Sequence, residues 1–225
     1  DQVVIQEFIA DDQDSIDKAE VQRIAFVNGV VWTEADVRLM LPSASMGNDV
    51  LRGTIKGDLI QAGDGCDFVY GGDGDDTLEG GRGQDILDGG AGSDVFVFER
   101  GWGQDRISNH DSSLVSQDVI AFGAGILATD IDVTREGLDL VLRRKGSSDR
   151  VAAIGFFEGD GYGASSWDNV VFSDGTSWDV AGLRQLVLSP RPIAQSLIGY
   201  RSSDVIHAGA GNDYLMGMDG DDYLY

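Results

Sequence analysis

Disulfides, membrane spans and an excess of positive charge are all missing from this sequence. A single cysteine, Cys66, rules out an internal disulfide. No run of about 18 apolar residues occurs, so no helix is expected to span a membrane. The N-terminus, Asp1-Gln2-Val3-Val4, lacks a basic stretch followed by an apolar run, and no signal peptide is expected there. Only 16 lysines and arginines stand against 39 aspartates and glutamates, a net charge of -23. Phosphate would be repelled, which excludes nucleic acid as a partner class. Cations are the natural partners, and an anionic bilayer is not one unless divalent ions bridge it.

Catalytic constellations are missing as well. The two histidines, His110 in a polar loop and His207, have no H-E-x-x-H spacing that would hold zinc. Cys66 has no histidine near it in sequence and reads as a turn residue. There is no G-x-S-x-G and no Walker loop, so no enzyme activity is expected. The acidic stretch Asp11-Asp12-Gln13-Asp14 reads as a solvated loop. Enough apolar residues remain, at 42%, to build a core, so the chain is not a disordered acidic tail.

What the chain has is glycine, 32 residues against 3 prolines, arranged with a period of nine. From Ala44 the blocks read ASMGNDVLR, GTIKGDLIQ, AGDGCDFVY, GGDGDDTLE, GGRGQDILD and GGAGSDVFV. The sixth position is always aspartate: Asp49, Asp58, Asp67, Asp76, Asp85 and Asp94. The eighth is always apolar: Leu51, Ile60, Val69, Leu78, Leu87 and Phe96. A second array from Gly199 reads GYRSSDVIH, AGAGNDYLM and GMDGDDYLY, with Asp204, Asp213 and Asp222 in the sixth place. The chain begins without methionine and stops inside a repeat, so both ends are expected to be internal to something longer.

The pattern has a physical reading. Glycine-rich positions one to five turn, because glycine tolerates positive φ and close backbone approach. Positions six to eight form a short strand with one apolar residue inward. Two blocks make one turn–strand–turn–strand coil of eighteen residues, and successive coils stack into a right-handed parallel β-roll. Aspartates eighteen residues apart then lie one above another, a like-charge column that a hard divalent cation would neutralise. A glycine-rich linker would have no reason to keep an apolar residue two places after each aspartate.

The register resembles the RTX (haemolysin-type) calcium-binding nonapeptide G-G-x-G-x-D-x-U-x over 44–97 and 199–225. That resemblance implies several Ca²⁺ ions, each held between repeat n and repeat n+2. The first site would use Ser45, Gly47, Asp49, Ala62, Asp64 and Asp67. The second would use Thr54, Lys56, Asp58, Gly71, Asp73 and Asp76. The third would use Gly63, Gly65, Asp67, Gly80, Arg82 and Asp85, and the fourth Gly72, Gly74, Asp76, Gly89, Ala91 and Asp94. In the second array Tyr200, Ser202, Asp204, Gly217, Asp219 and Asp222 would hold one more, with Asp213 awaiting a later repeat. Lys56 departs from the pattern: it stands where glycine is expected, calls for an unusual backbone and puts a cation beside the second site.

Between the arrays the repeats fade. RGWGQDRIS (100–108) is a nonapeptide shifted by two residues, and SLVSQDVIA (113–121) keeps only Asp118 and Ile120. Asp105 reads equally as a minor calcium ligand or a solvated loop residue; Asp118 reads more as the latter. Residues 131–142 alternate across a glycine and predict a hairpin, and 151–157 a strand. Val170-Val171-Phe172 before Asp174-Gly175 predicts a strand and tight turn, then a helix with Asp179 as N-cap and Leu183, Leu186 and Val187 at helical spacing.

That last unit occurs twice. Residues 24–32, IAFVNGVVW, match 170–178, VVFSDGTSW, at a fixed offset, and Thr33 with Asp36 resembles a capping box. The unit resembles the domain that accompanies haemolysin-type calcium-binding repeats. The expected organisation is 1–43 the end of a preceding cap, 44–108 a roll, 109–190 a cap, and 191–225 the start of a second roll. The whole is all-β, with small mixed β/α caps. Trp32, Trp102, Trp167 and Trp178 are expected in cap cores rather than on a sugar platform.

The resemblance also implies a purpose: a module that folds on Ca²⁺ after export through a type I secretion apparatus, as part of a larger extracellular bacterial toxin, adhesin or exoenzyme. An adhesive unit with a glycan or cell-surface partner is the alternative, and aromatics exposed on one cap face would favour it.

Overall fold

The structure, a computed structural model, describes residues 23–25, 31–33, 44–109, 111, 116–158 and 167–225. The Asp11–Asp14 stretch, Asp36 and His110 lie outside them. The chain divides into two units, 1–43 and 44–225.

In the first unit, β1 (Arg23–Ala25) and β2 (Val31–Thr33) pair antiparallel, with Ile24 opposite Trp32. The second copy of the same sequence does likewise: β16 (Trp167–Val171) and β17 (Ser177–Asp179) pair antiparallel, with Val170 opposite Trp178. The duplicated residues therefore meet in the same register.

In the second unit, nonapeptides feed two sheets by turns. Odd blocks supply β3 (Val50–Arg52), β6 (Phe68–Asp73) and β9 (Ile86–Ala91) to one sheet. Even blocks supply β4 (Leu59–Gln61), β7 (Thr77–Glu79) and β10 (Val95–Phe98) to the other. All these pairings are parallel and in step, Leu51 beside Val69 beside Leu87 and Ile60 beside Leu78 beside Phe96. Two-residue strands β5 (Asp64–Gly65) and β8 (Arg82–Gly83) pair the turns themselves. The eighth-position side chains point between the sheets, where Leu51, Val69, Leu78, Leu87 and Phe96 are buried. Each such burial is worth roughly 1.5–3 kcal/mol. This is the expected parallel β-roll.

The roll does not stop where its repeats do. β11 (Gln104–Ser108) pairs parallel with β9, and β12 (Asp118–Phe122) with β10. β15 (Arg150–Ala153) and β16 continue the same two sheets in parallel. Only then does direction reverse. The hairpin of β13 (Ile131–Glu136) and β14 (Asp139–Arg144) closes one sheet, and β17 the other. The strand expected over 151–157 ends at Ala153 and passes into turns.

Aromatics fill the passage from roll to cap. Phe96 and Trp167 lie 5.1 Å apart, Trp102 and Phe122 5.4 Å, and Phe172 and Trp178 4.6 Å, the last edge-on. Trp102 and Trp167 are buried and Trp178 packs against the core. Helix α1 (Val180–Val187) starts as expected, with the Asp179 carboxylate accepting from the Gly182 amide at 2.8 Å. Its buried residues are Leu183 and Val187.

The second array begins one block earlier than its aspartates suggest. β18 (Ser196–Ile198) pairs parallel with β20 (Tyr214–Met216), and β19 (Val205–Ile206) with β21 (Tyr223–Leu224). Arg191 bridges to Gly209. Residues 190–198, PRPIAQSLI, thus form a degenerate nonapeptide, with Gln195 in the sixth place and buried Leu197 in the eighth.

Candidate calcium sites

The stacking turns the sixth-position aspartates into two ladders. On one edge, the backbone amides of Asp49, Asp67 and Asp85 donate to the Oδ1 of Asp67, Asp85 and Asp105, at 2.8, 2.8 and 3.0 Å. On the other, those of Asp58, Asp76 and Asp94 donate to the Oδ1 of Asp76, Asp94 and Asp118, at 2.7, 2.9 and 2.9 Å. In the second array the backbone amide of Asp204 donates to the Asp222 Oδ1 at 2.9 Å. Each pair of aspartates expected to share an ion is therefore joined directly. Asp213 faces Gln195 instead, whose backbone amide donates to its Oδ1 at 3.0 Å.

One oxygen of each carboxylate is thus used, and the fate of the other separates two classes. In Asp67, Asp76, Asp85, Asp94 and Asp105 the Oδ2 is buried without a hydrogen-bond partner. An orphaned buried carboxylate oxygen is costly and rare. Burial pushes Asp76 up to about 7, Asp85 and Asp94 to about 6 and Asp105 to about 8; neighbouring carboxylates add to the shift. The chemistry of these oxygens fits a hard divalent cation.

The opening aspartates differ. The amides of Ser45, Thr54 and Tyr200 turn onto the Oδ2 of Asp49, Asp58 and Asp204, at 2.8, 2.6 and 2.6 Å. These second-position residues are not glycine. In later coils the position is occupied by Gly63, Gly72, Gly81 and Gly90, all at positive φ. The reason is stacking: a Cβ on Gly72 would collide with the Thr54 carbonyl below it, and one on Gly90 with that of Gly72. The opening strands are sheet edges with no such wall among the described residues. The same reason corrects the reading of Lys56. It needs no unusual backbone; among the described residues only Met218 is a non-glycine at positive φ.

Several expected carbonyl donors are partly engaged. The carbonyls of Thr54 and Gly63 accept from the amides of Asp73 and Arg82, and that of Ala91 from Gly74. Each keeps a second lone pair. Ser45 and Gly47, with Asp64, Asp73, Arg82 and Ala91, line the exposed outer side of the turns, whereas Ala62, Gly71, Gly80 and Gly89 are buried. Among the described residues, no three His, Cys, Asp or Glu side chains form a metal cluster. The ladders bring carboxylates together in pairs.

Asp118 is a correction. Read from sequence as more of a loop residue, it is fully buried and lies in the ladder. Burial raises it to about 7. The intervening loop absorbs the extra residues, since the step from Asp94 is 24 rather than 18. Its own amide donates to Asp168 at 2.9 Å, and Asn109 donates to its Oδ2. Sequence reasoning passed over Asp168 and Asn109; only the apolar Ile120, two places after Asp118, signalled that the pattern persisted. Asp105, left open between ligand and loop, is also fully buried. Beyond it that edge meets Asp149, which pairs with Arg144 at 3.4 Å. There a guanidinium ends the column of negative charge.

Comparison with known proteins places this geometry. The model of the RTX calcium-binding nonapeptide repeat matches four times, over 43–78, 62–96, 70–107 and 195–225. That of the haemolysin-type calcium binding protein related domain matches 139–181. The iron-regulated protein FrpA of Neisseria meningitidis serogroup C is 42% identical over 117 residues, 52% of this chain and 10% of that protein. The chain thus spans about a tenth of that relative's length. The solution structure of the AlgE6R3 subunit from the Azotobacter vinelandii mannuronan C5-epimerase is 34% identical, covering 57% of this chain and 80% of that one, with a TM-score of 0.39.

Proposed function

We infer that this chain, which belongs to the RTX calcium-binding nonapeptide repeat family and binds several Ca²⁺ ions, is a module whose folding is driven by that binding. The observation that carries the inference is the set of buried, unpartnered Oδ2 atoms on Asp67, Asp76, Asp85, Asp94 and Asp105. Bound Ca²⁺ supplies positive charge and about 6–8 oxygen coordination positions. The chain's part is to stack the carboxylates in pairs: Asp49 with Asp67, Asp58 with Asp76, Asp67 with Asp85, Asp76 with Asp94, and Asp204 with Asp222. Turn carbonyls at positions two and four of the lower repeat, and one and three of the upper, complete each site.

Without the ion, a net charge of -23 and buried orphan oxygens oppose stacking. Binding free energy then becomes folding free energy. A cell interior poor in calcium would keep the module unfolded and the exterior would fold it. That suits passage through a type I secretion apparatus as part of a larger extracellular bacterial protein. The module carries no catalytic step of its own. Trp102, Phe122, Phe156, Phe157, Trp167 and Phe172 of the cap are buried, which supports a packing role over a glycan platform.

Far-UV circular dichroism during a calcium titration tests the reading, with magnesium as control. The expected result is a cooperative gain of β signal at about 10⁻⁴–10⁻³ M calcium and none with magnesium. A chain fully folded in chelator and unchanged by calcium would overturn it.

A further inference from the structure

The cap grips the first half-site of the second roll. Three elements of 44–225 converge on one nonapeptide. Tyr200, in its second position, is 1% exposed. The Arg184 guanidinium of α1 lies over its ring at 3.8 Å, that of Arg135 from β13 at 5.6 Å, and the Phe157 ring at 5.9 Å. Arg184 also donates to the Ser202 hydroxyl at 3.0 Å, in the fourth position. Arg135 donates to the Ile198 carbonyl at 3.4 Å, and Arg191 donates back to the Val133 carbonyl of the cap.

The clamp reaches the acidic ladder through one bond. The amide of Tyr200 donates to the Asp204 Oδ2 at 2.6 Å, and the amide of Asp204 donates to the Asp222 Oδ1 at 2.9 Å. Ring, hydroxyl and carboxylate of positions two, four and six are thus all set by groups of the cap or by the residue it clamps. Ser45 and Thr54, the second-position residues that open the first roll, are not buried. At its other end the cap continues both sheets of the first roll through β15 and β16.

We propose that Tyr200 is a positioning residue through which the cap pre-forms the calcium half-site of the second roll, so that calcium folding of one roll is handed to the next. The proposal rests on the calcium-driven folding argued above. Ordering the first roll orders the strand that carries Arg135, the turn after β15 that carries Phe157, and the helix that carries Arg184. These hold Tyr200, and the half-site at Asp204 no longer bears its own ordering cost. Two sites coupled in this way bind more tightly together than apart.

Hydrogen-exchange mass spectrometry of the full chain across a calcium titration separates the steps, because peptides from 62–98 and from 204–225 report the two rolls independently. In the unmodified chain both rolls should gain protection at the same calcium concentration. Tyr200→Ala keeps the backbone carbonyl and amide but removes the clamped ring. It should move the midpoint of 204–225 to about tenfold higher calcium, a typical coupling, and leave 62–98 unchanged. Tyr200→Phe keeps the ring and should restore the original midpoint, which generic destabilisation by any substitution would not. Asp85→Asn, in the first roll, should delay both rolls together. An unmoved midpoint for 204–225 in Tyr200→Ala, or a second roll indifferent to Asp85→Asn, overturns the hand-over while leaving calcium-driven folding intact. Absence of calcium-dependent protection in either roll overturns the folding reading itself.

Discussion

The opening coil of the first roll and the coils stacked above it share one sequence pattern but solve different problems. In the opening coil, Ser45 and Thr54 fill the second position with ordinary backbone, and their amides cap Asp49 and Asp58. Above it glycines at positive φ fill the position, and the aspartates keep a buried oxygen without a partner. A coil with nothing beneath it can use a side chain and satisfy itself. In the first roll each coil laid on another gives up Cβ at this position, and its carboxylate then depends on something from outside; in the second roll Met218 keeps a Cβ there at positive φ. The repeats are therefore not equivalent, although their aspartates are identical.

The largest effect expected from this contrast is steric. Gly90→Ala places a Cβ at φ +93° against the Gly72 carbonyl. It should cost about 3 kcal/mol or more, enough to unstack the roll in a calcium titration followed by circular dichroism. Gly47→Ala, in the opening coil, meets only the Ser45 hydroxyl at 3.6 Å and should stay within about 0.5 kcal/mol. Equal costs would break the comparison.

Next is the response to acid. Asp76, Asp85, Asp94, Asp105 and Asp118 are raised from 3.8 to about 7, 6, 6, 8 and 7. A carboxyl whose folded value lies above its unfolded one binds more protons when folded, so stability falls as pH rises. The contribution is full below about 4 and lost on passing up through 6 to 8. In chelator, then, the roll should gain β signal and thermal stability as pH drops from 8 to 5. With saturating calcium the trend should reverse, since protons compete with the ion. Thermal melts at both conditions check the sign.

The smallest effect sharpens the comparison within the ladder. Asp49 and Asp85 each offer a carboxylate to a candidate site, but only Asp49 has its Oδ2 already capped. Asp85→Asn should raise the calcium midpoint about tenfold, near 1.4 kcal/mol, and Asp49→Asn by clearly less, read in the same titration.

Much of this was legible beforehand because the repeat is a local code. Aspartate in the sixth place and an apolar residue in the eighth specify turn, strand and inward face within nine residues. The hairpin expected at 131–142 and the Asp179 cap are likewise local; the cap stands where expected and the hairpin runs two residues further, to Arg144. The misses came where the local code thins. Asp118 has lost most of the pattern, and its place is held by parallel pairing with a strand 24 residues away. The block at 190–198 was expected in the second roll, but its nonapeptide register shows only through pairing with a strand 18 residues on. Lys56 looked strained because the rule for interior coils was applied to an edge.

By itself the sequence determined the period, hence the coil of eighteen residues, the inward column of Leu51, Val69 and Leu87, and the pairing of aspartates into ladders. Tertiary structure alone decided which aspartates are self-satisfied, how far the ladders run into the cap, and that Arg135 and Arg184 close around Tyr200. The reason is physical. Period and face follow from bond geometry along the chain. Whether an oxygen is orphaned, or a ring is clamped, depends on what a distant segment brings to it.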